Sequence, residues 1–213
     1  MFQPKTIAIS LVALALAGCA GGTQFDETGG IKTVRSSCPA VAIPVDTGDV
    51  TLFNPPESRD ARAIDVVATI TNLRSTCETQ GDRIVANATF RVDARRASTS
   101  GARDVVLPYF ATVTRGGTQI ESKQVSRVAL HFADGQATAT ATGGGTANIA
   151  VSAAALPPEV EQKVTRKRRP GDADASVDPM TDPSVRSAIQ RASFELLVGF
   201  QLTNEQLAYN ATR

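Results

Sequence analysis

The chain has 213 residues, with 22 Lys and Arg against 21 Asp and Glu, for a formal net charge of +1. A field that weak excludes nucleic acid or an acidic polymer as a partner recruited by charge. Aromatic residues make up 5%, with no Trp and only two Tyr, too few exposed rings for a base-stacking platform or a sugar-binding face. The length admits one domain of ordinary size with tails.

Lys5 is the first positive charge, and residues 7–16 follow as an apolar run broken only by Ser10. About 10 apolar residues fall short of the roughly 20 that a membrane-spanning helix needs and suit the core of a signal peptide. Leu16, Ala17, Gly18 and Cys19 close the run as L-A-G-C, which resembles the lipobox of bacterial lipoproteins. The resemblance implies that residues 1–18 are a lipoprotein signal peptide and that Cys19 carries the acyl anchor, placing the protein on a membrane of the cell envelope. Ala20 follows the cysteine where an Asp could stand, which resembles the pattern of enterobacterial lipoproteins released to the outer membrane, facing the periplasm.

Residues 19–37 carry Gly21, Gly22, Gly29, Gly30, Asp26 and Glu27 and few large apolar groups, the composition of a flexible tether. The folded domain is expected over 38–213. With Cys19 acylated, Cys38 and Cys77 remain as an even pair, and export to an oxidising compartment favours a disulfide between them. Closing a loop of about 40 residues is worth about 4 kcal/mol in chain entropy. A redox-active pair needs a C-x-x-C turn, which these spacings do not provide. Cys38 opens one strand-like run and Cys77 follows the end of another, so they are expected to adjoin where two strands run antiparallel.

Beyond Cys38 the dominant period is two. Ile84, Ala86, Ala88, Phe90, Val92 and Ala94 alternate with Val85, Asn87, Thr89, Arg91, Asp93 and Arg95, predicting a half-buried antiparallel strand. Ile64, Val66, Ala68 and Ile70 alternate in the same way, and Gln80, Gly81 and Asp82 predict the turn of a hairpin. Further strands are expected at 41–45, 50–53, 105–114, 119–125, 128–132, 146–151 and 194–201, with turns at Gly116 and Gly117, at Asp134 and Gly135, and at residues 143–145.

Short strands about ten residues apart predict an all-β fold, an antiparallel β-sandwich of immunoglobulin-like or fibronectin-like type. A sandwich is preferred to a closed barrel because Pro44, Pro55, Pro56 and Pro108 interrupt strand-like runs, and proline belongs at edges and bulges. Residues 136–145 are low in complexity and read as a loose hairpin tip or weak edge strand. Residues 157–182 combine the basic run Arg166, Lys167, Arg168 and Arg169 with Asp172, Asp174, Asp178 and Asp182, which predicts a long, charged, mobile loop. Thr203 and Gln206 stand at N-cap and N3 spacing, predicting a short C-terminal helical turn.

His131 is the single histidine, and alternation puts it on the face opposite Leu130 and Phe132, a surface position rather than a metal or catalytic one. No G-x-S-x-G elbow, H-E-x-x-H pair, phosphate-binding glycine loop or dinucleotide fingerprint occurs. Asp46 with Asp49, or Asp65 with Asp93, could act as acid and base only in a cleft with sugar-stacking rings, and solvated carboxylates explain them more simply. The four cations from Arg166 to Arg169 form a candidate interaction loop for anionic headgroups or an acidic partner, although nearby aspartates cancel most of their field.

Residues 196–210, L-L-V-G-F-Q-L-T-N-E-Q-L-A-Y-N, resemble the closing segment of a group of alphaproteobacterial envelope lipoproteins with no assigned activity. Those proteins tend to combine a lipobox with an early C-P pair, here Cys38 and Pro39, and a second cysteine. The resemblance implies a family and assigns no functional residue. The expected role is therefore that of a lipid-anchored structural or protein-interaction module, non-enzymatic, without cofactor or metal, with another envelope protein as partner. The alternative is a carrier holding a small apolar ligand or lipid between its sheets.

Overall fold

A computed structural model describes residues 36–166, 168, 171–174 and 176–212. The expected signal peptide, Cys19, the tether up to residue 35, Lys167 and Arg169 lie outside the described residues. The elements run β1 (Ala40–Ala42), β2 (Asp49–Phe53), β3 (Ile64–Gln80), β4 (Arg83–Arg96), β5 (Arg103–Arg115), β6 (Gln119–Phe132), β7 (Thr138–Ala150), α1 (Val151–Ala154), α2 (Pro158–Thr165), α3 (Pro183–Arg191), β8 (Phe194–Phe200) and α4 (Asn204–Ala211). Two four-stranded sheets result, ordered β1-β8-β5-β6 and β2-β3-β4-β7. Every pairing is antiparallel except β1 with β8.

The period-two pattern decides which faces meet. Ile84, Ala86, Ala88, Phe90, Val92 and Ala94 are all buried, as their alternation predicts. They pack against Leu107, Tyr109, Ala111 and Val113 of β5, Leu130 and Phe132 of β6, and Leu196, Val198 and Phe200 of β8 in one shared core. Gly81, at φ 60 in the first central position of the β3–β4 turn, suits a two-residue turn whose twist matches its strands.

A bulge in β3 reverses its inward face partway along. The register steps from Thr71↔Arg91 to Arg74↔Thr89, leaving Asn72 and Leu73 opposite a single residue. Asn72 sits at φ 51, a left-handed conformation that asparagine tolerates better than most side chains. Before the bulge the even residues Val66, Ala68 and Ile70 face the core; after it Ser75, Cys77 and Thr79 stand opposite the inward Ala88, Ala86 and Ile84. Cys77 thereby faces the other sheet and is bridged to Cys38, with 6.1 Å between their Cα atoms. The disulfide exists as expected, but it joins the two sheets instead of two neighbouring strands.

Residues 143–145 do not form the expected turn; they lie in the middle of β7. A methyl group on Gly143 would overlap the Phe90 ring, and one on Gly145 would overlap the Ala111 methyl of the facing sheet. Glycine is needed there for close approach of two layers. Phe90 and Tyr109 meet edge to face at 5.1 Å, and the Tyr109 hydroxyl donates to Gly144 O at 3.0 Å while Gly144 N donates to it at 3.3 Å.

Other expectations change as well. The runs 119–125 and 128–132 form one strand, β6, and Pro108 lies inside β5, a central strand. Pro108 is accommodated because the β5–β8 ladder has already ended at Tyr109↔Phe200, while Gln201 N still donates to Pro108 O at 2.9 Å. The fold is mostly β rather than all-β. Residues 157–182 contain α2 and a 3-10 turn at Pro179–Thr181, not simply a loop. Val160 of α2 is buried against Val185 and Ala188 of α3, with Leu156, Val164 and Ile189 around them, forming a second small core. Asp182 and Pro183 at the α3 N-terminus were the overlooked sign of that helix.

Arg96 continues the inward alternation of β4 and is 3% exposed. Its Nε donates to Gln136 O at 2.8 Å, Nη1 to Gly101 O at 2.7 Å, and Nη2 to Thr99 O and Ala133 O, both at 2.9 Å. The guanidinium lies 5.3 Å from the Phe132 ring centroid. One side chain thus satisfies carbonyls from the β4–β5 and the β6–β7 connections, both of which cross between sheets. Arg96→Met keeps much of the stem and removes the Arg96 donor from Gly101 O and Gln136 O, while Thr99 O and Ala133 O keep bonds from Gly135 N and Gln136 N. It is expected to lower stability by about 3 kcal/mol or more, read as a lower urea midpoint at unchanged slope.

Candidate interaction surface

The outer face of β5 and β6 is built by the residues that alternate away from the core. Val106, Val125 and Ile120 are 54%, 57% and 64% exposed, large values for apolar side chains. Val125 stands opposite Phe110, and the Lys123 ammonium lies 5.3 Å from the Phe110 ring centroid. Residues 119–127 of β6 are exposed on both faces, whereas Val128, Leu130 and Phe132 are buried. The strand therefore runs beyond the cover of the opposite sheet.

The other sheet edges are short or occupied. β1 has three residues, and at β2 the Phe53 ring meets Tyr209 of α4 edge to face at 5.1 Å. α4 is held there by its predicted capping box, in which Thr203 N donates to Gln206 Oε1 at 2.9 Å and Gln206 N to Thr203 Oγ1 at 3.3 Å. Asn210 Nδ2 adds bonds to Asp46 O and Asp49 O, each 2.8 Å. At β7 the Tyr109 hydroxyl engages Gly144. Among the described residues, β6 is the longest edge strand, and its first half is exposed on both faces.

The candidate basic loop folds onto its own acidic half. Arg166 Nη2 donates to Asp172 Oδ2 at 3.2 Å and to Asp174 Oδ1 at 2.6 Å; Arg168 Nη2 donates to Lys163 O at 3.0 Å, and its Nε lies 3.6 Å from Asp174. Asp182 caps α3, accepting from Ser184 N at 2.8 Å and Ser184 Oγ at 2.7 Å, and it pairs with Lys163 of α2 at 3.1 Å. Bonds from Ser184, aided by Lys163, hold its carboxyl down from the ordinary 3.8 to about 2. These contacts pair Arg166 and Arg168 with Asp172 and Asp174 and link α2 to α3.

The remaining titratable candidates are dispersed. His131 lies on the outer face, with Nδ1 2.6 Å from Asp104 Oδ1, and both side chains are more than two-thirds exposed. Asp65 accepts from Arg103 Nη2 at 3.1 Å, and Asp93 accepts from Thr71 Oγ1 at 2.6 Å and from Arg91; the bonds from Thr71 and then Arg91 lower its pKa. Asp93 stands opposite Thr69, four residues along β3 from Asp65, a separation of about 13 Å along the strand. Asp49 accepts from Thr69 Oγ1 at 2.5 Å, and Asp46 contributes its carbonyl to Asn210. Among the described residues no group of three His, Cys, Asp or Glu side chains could hold a metal ion.

Two clefts of about 170 Å³ each open on the surface, one lined by Arg115, Ser152, Pro157 and Arg191, the other by Ser36, Cys38, Ser193 and Glu195. Both fall below the roughly 300–1,000 Å³ of small-molecule sites. No protein-family profile matches the chain, and neither a curated protein nor a solved structure matches it. Sequence reasoning did not single out the β6 edge. Its available sign was the mixed polar run from Gln119 to Arg127, in which neither alternating face is consistently apolar.

Two outcomes test the supports of this surface. Cys77→Ala frees a loop closed across a sequence separation of 39 and is expected to lower stability by about 2–5 kcal/mol, measured by denaturant unfolding without reductant. Because the folded Asp182 carboxyl titrates below its unfolded value, its stabilisation is complete above pH 3.8 and is lost as pH falls through about 2. A carboxyl-detected NMR titration is expected to show loss of the α3 cap over that window, and Asp182→Asn to remove the pH dependence.

Proposed function

We propose that the chain is a lipid-anchored envelope lipoprotein, acylated at Cys19 after loss of residues 1–18, whose domain is a structural or protein-interaction module and not an enzyme. The observation that carries the interaction reading is the filled core between the sheets, combined with an apolar outer face beside an open edge. A carrier for an apolar ligand needs a cavity between the sheets, a place taken here by Phe90, Tyr109, Phe132 and Phe200. The Cys38–Cys77 disulfide supports export to an oxidising compartment such as the periplasm. The Asp104–His131 pair stands open to water on the outer face, outside any enclosed cleft.

The L-A-G-C motif and Ala20 support outer-membrane attachment, and the closing segment supports membership of the alphaproteobacterial group. An immunoglobulin-like or fibronectin-like subclass belongs to the same proposal. The facing sheets support it, while the run β2-β3-β4 departs from it by placing three successive strands side by side where the immunoglobulin order ABED does not.

Cys19→Ala tests the anchor. The parent is expected in the detergent-rich phase on phase separation and in the outer-membrane fraction of a density gradient, and the variant in the aqueous phase. Equal partitioning of both overturns the lipoprotein reading, and loss of a measurable turnover on His131→Ala at unchanged folding overturns the non-enzyme reading.

A further inference from the structure

The open edge of β6 carries a charge pattern complementary to itself, and we infer that it pairs antiparallel with β6 of a second copy of this chain, about a two-fold axis at Gln124. The inference goes beyond the proposed function, because the pairing does not depend on the acyl anchor.

The backbone phase of β6 sets which groups are available. Gln201 N donates to Pro108 O, so Pro108 turns its carbonyl toward β8. By alternation Tyr109 and Ala111 turn theirs toward β6, where Ser126 and Gln124 oppose them. Lys123, Val125 and Arg127 therefore direct their N–H and C=O groups to the open side, and their side chains lie on the outer face with Phe110 and Val106.

Only certain registers suit a second copy. An axis at Lys123 sets Lys123 against itself, and one at Val125 sets Lys123 against Arg127. An axis at Ser122 pairs Lys123 with Glu121 but carries Arg127 past the end of the strand at Gln119. An axis at Gln124 sets Glu121 against Arg127 twice and Lys123 against Val125 twice, so two opposite-charge pairs form and no like charges meet. In that register Lys123 and Val125 are also the residues that exchange backbone hydrogen bonds. The Lys123 stem of one copy lies over Val125 of the other, covering the apolar groups that β6 leaves exposed. Glu121 is the extra residue of a bulge, between Ser122 opposite Val113 and Ile120 opposite Thr114, and its carboxylate is 4.0 Å from Arg115, the outer limit of an ion pair. Lys123 and Arg127 meanwhile oppose the registers centred on Lys123 and on Val125, in which like charges would meet.

The test uses the full chain in mild detergent. Residues at the axis form a non-hydrogen-bonded pair with Cα atoms about 4.5 Å apart, within disulfide reach. Gln124→Cys is therefore expected to give a covalent dimer on mild oxidation. Glu121→Cys, whose two copies lie about 20 Å apart in this register, is expected to give none. In sedimentation velocity Glu121→Arg is expected to weaken the dimer at least about tenfold, and Glu121→Arg with Arg127→Glu to restore it to within about threefold. Circular dichroism checks that each variant keeps its β signal. Absence of a Gln124→Cys dimer, equal crosslinking through Glu121→Cys, or failure of the double exchange to rescue overturns the inference. A monomeric parent that still partitions through Cys19 overturns it while leaving the proposed function intact, and a dimer without acylation does the reverse.

Discussion

The sandwich depends on a charge that has been taken out of water. Arg96 occupies an inward position that the β4 pattern reserves for apolar side chains, and its guanidinium is stable there because backbone carbonyls surround it. No carboxylate is needed: the carbonyls belong to connections that have no ladder partners, and the planar fork reaches several of them at once. Gly101 N and Asp134 Oδ1, 2.7 Å apart, close the same end, as does the bond from Gly135 N to Thr99 O at 2.9 Å. Without these contacts the two crossings would be free to separate, and with them the sheets they join.

The opposite end is held covalently, and the β3 bulge makes that arrangement feasible. A regular strand would turn Cys77 outward, away from β1. The extra residue at Asn72 and Leu73 exchanges the two faces, so a single local irregularity connects a loop conformation to an inter-sheet bond. Between the two ends, the glycines of β7 let the sheets approach, and the Tyr109 hydroxyl takes up backbone groups of Gly144 that face outward from the sheet. Packing and edge protection are thus served by one side chain.

That protection is unevenly distributed, which gives the functional argument its direction. β2 is met by Tyr209 of α4 and β7 is engaged at Gly144 by Tyr109, whereas the first half of β6 is exposed on both faces. In the charged 157–182 segment, a partner-binding candidate by composition, Arg166 and Arg168 pair with Asp172 and Asp174, and α2 packs into a small core with α3. A surface whose charges are already paired offers little to an incoming partner.

The sequence by itself determined the layered β architecture, because period-two burial is a local property: the alternation through Ile84 and Ala94 and the capping box at Thr203 needed no tertiary information. The disulfide was legible from the three cysteines once the lipobox resemblance set Cys19 aside, which left Cys38 and Cys77 as a pair. What only the tertiary structure decided were the matters set by distant partners. Arg96 lies just past the alternating run that the sequence shows, and its burial is set by the carbonyls of residues 99, 101, 133 and 136 around it. Residues 143–145 read as a turn until Phe90 and Ala111 fill the space where their side chains would be. Val160 reads as part of a polar loop until α3 provides the apolar surface that makes its burial favourable. The open edge of β6 appears only when the strand order is known, because a free backbone edge is defined by the strand that is missing beside it.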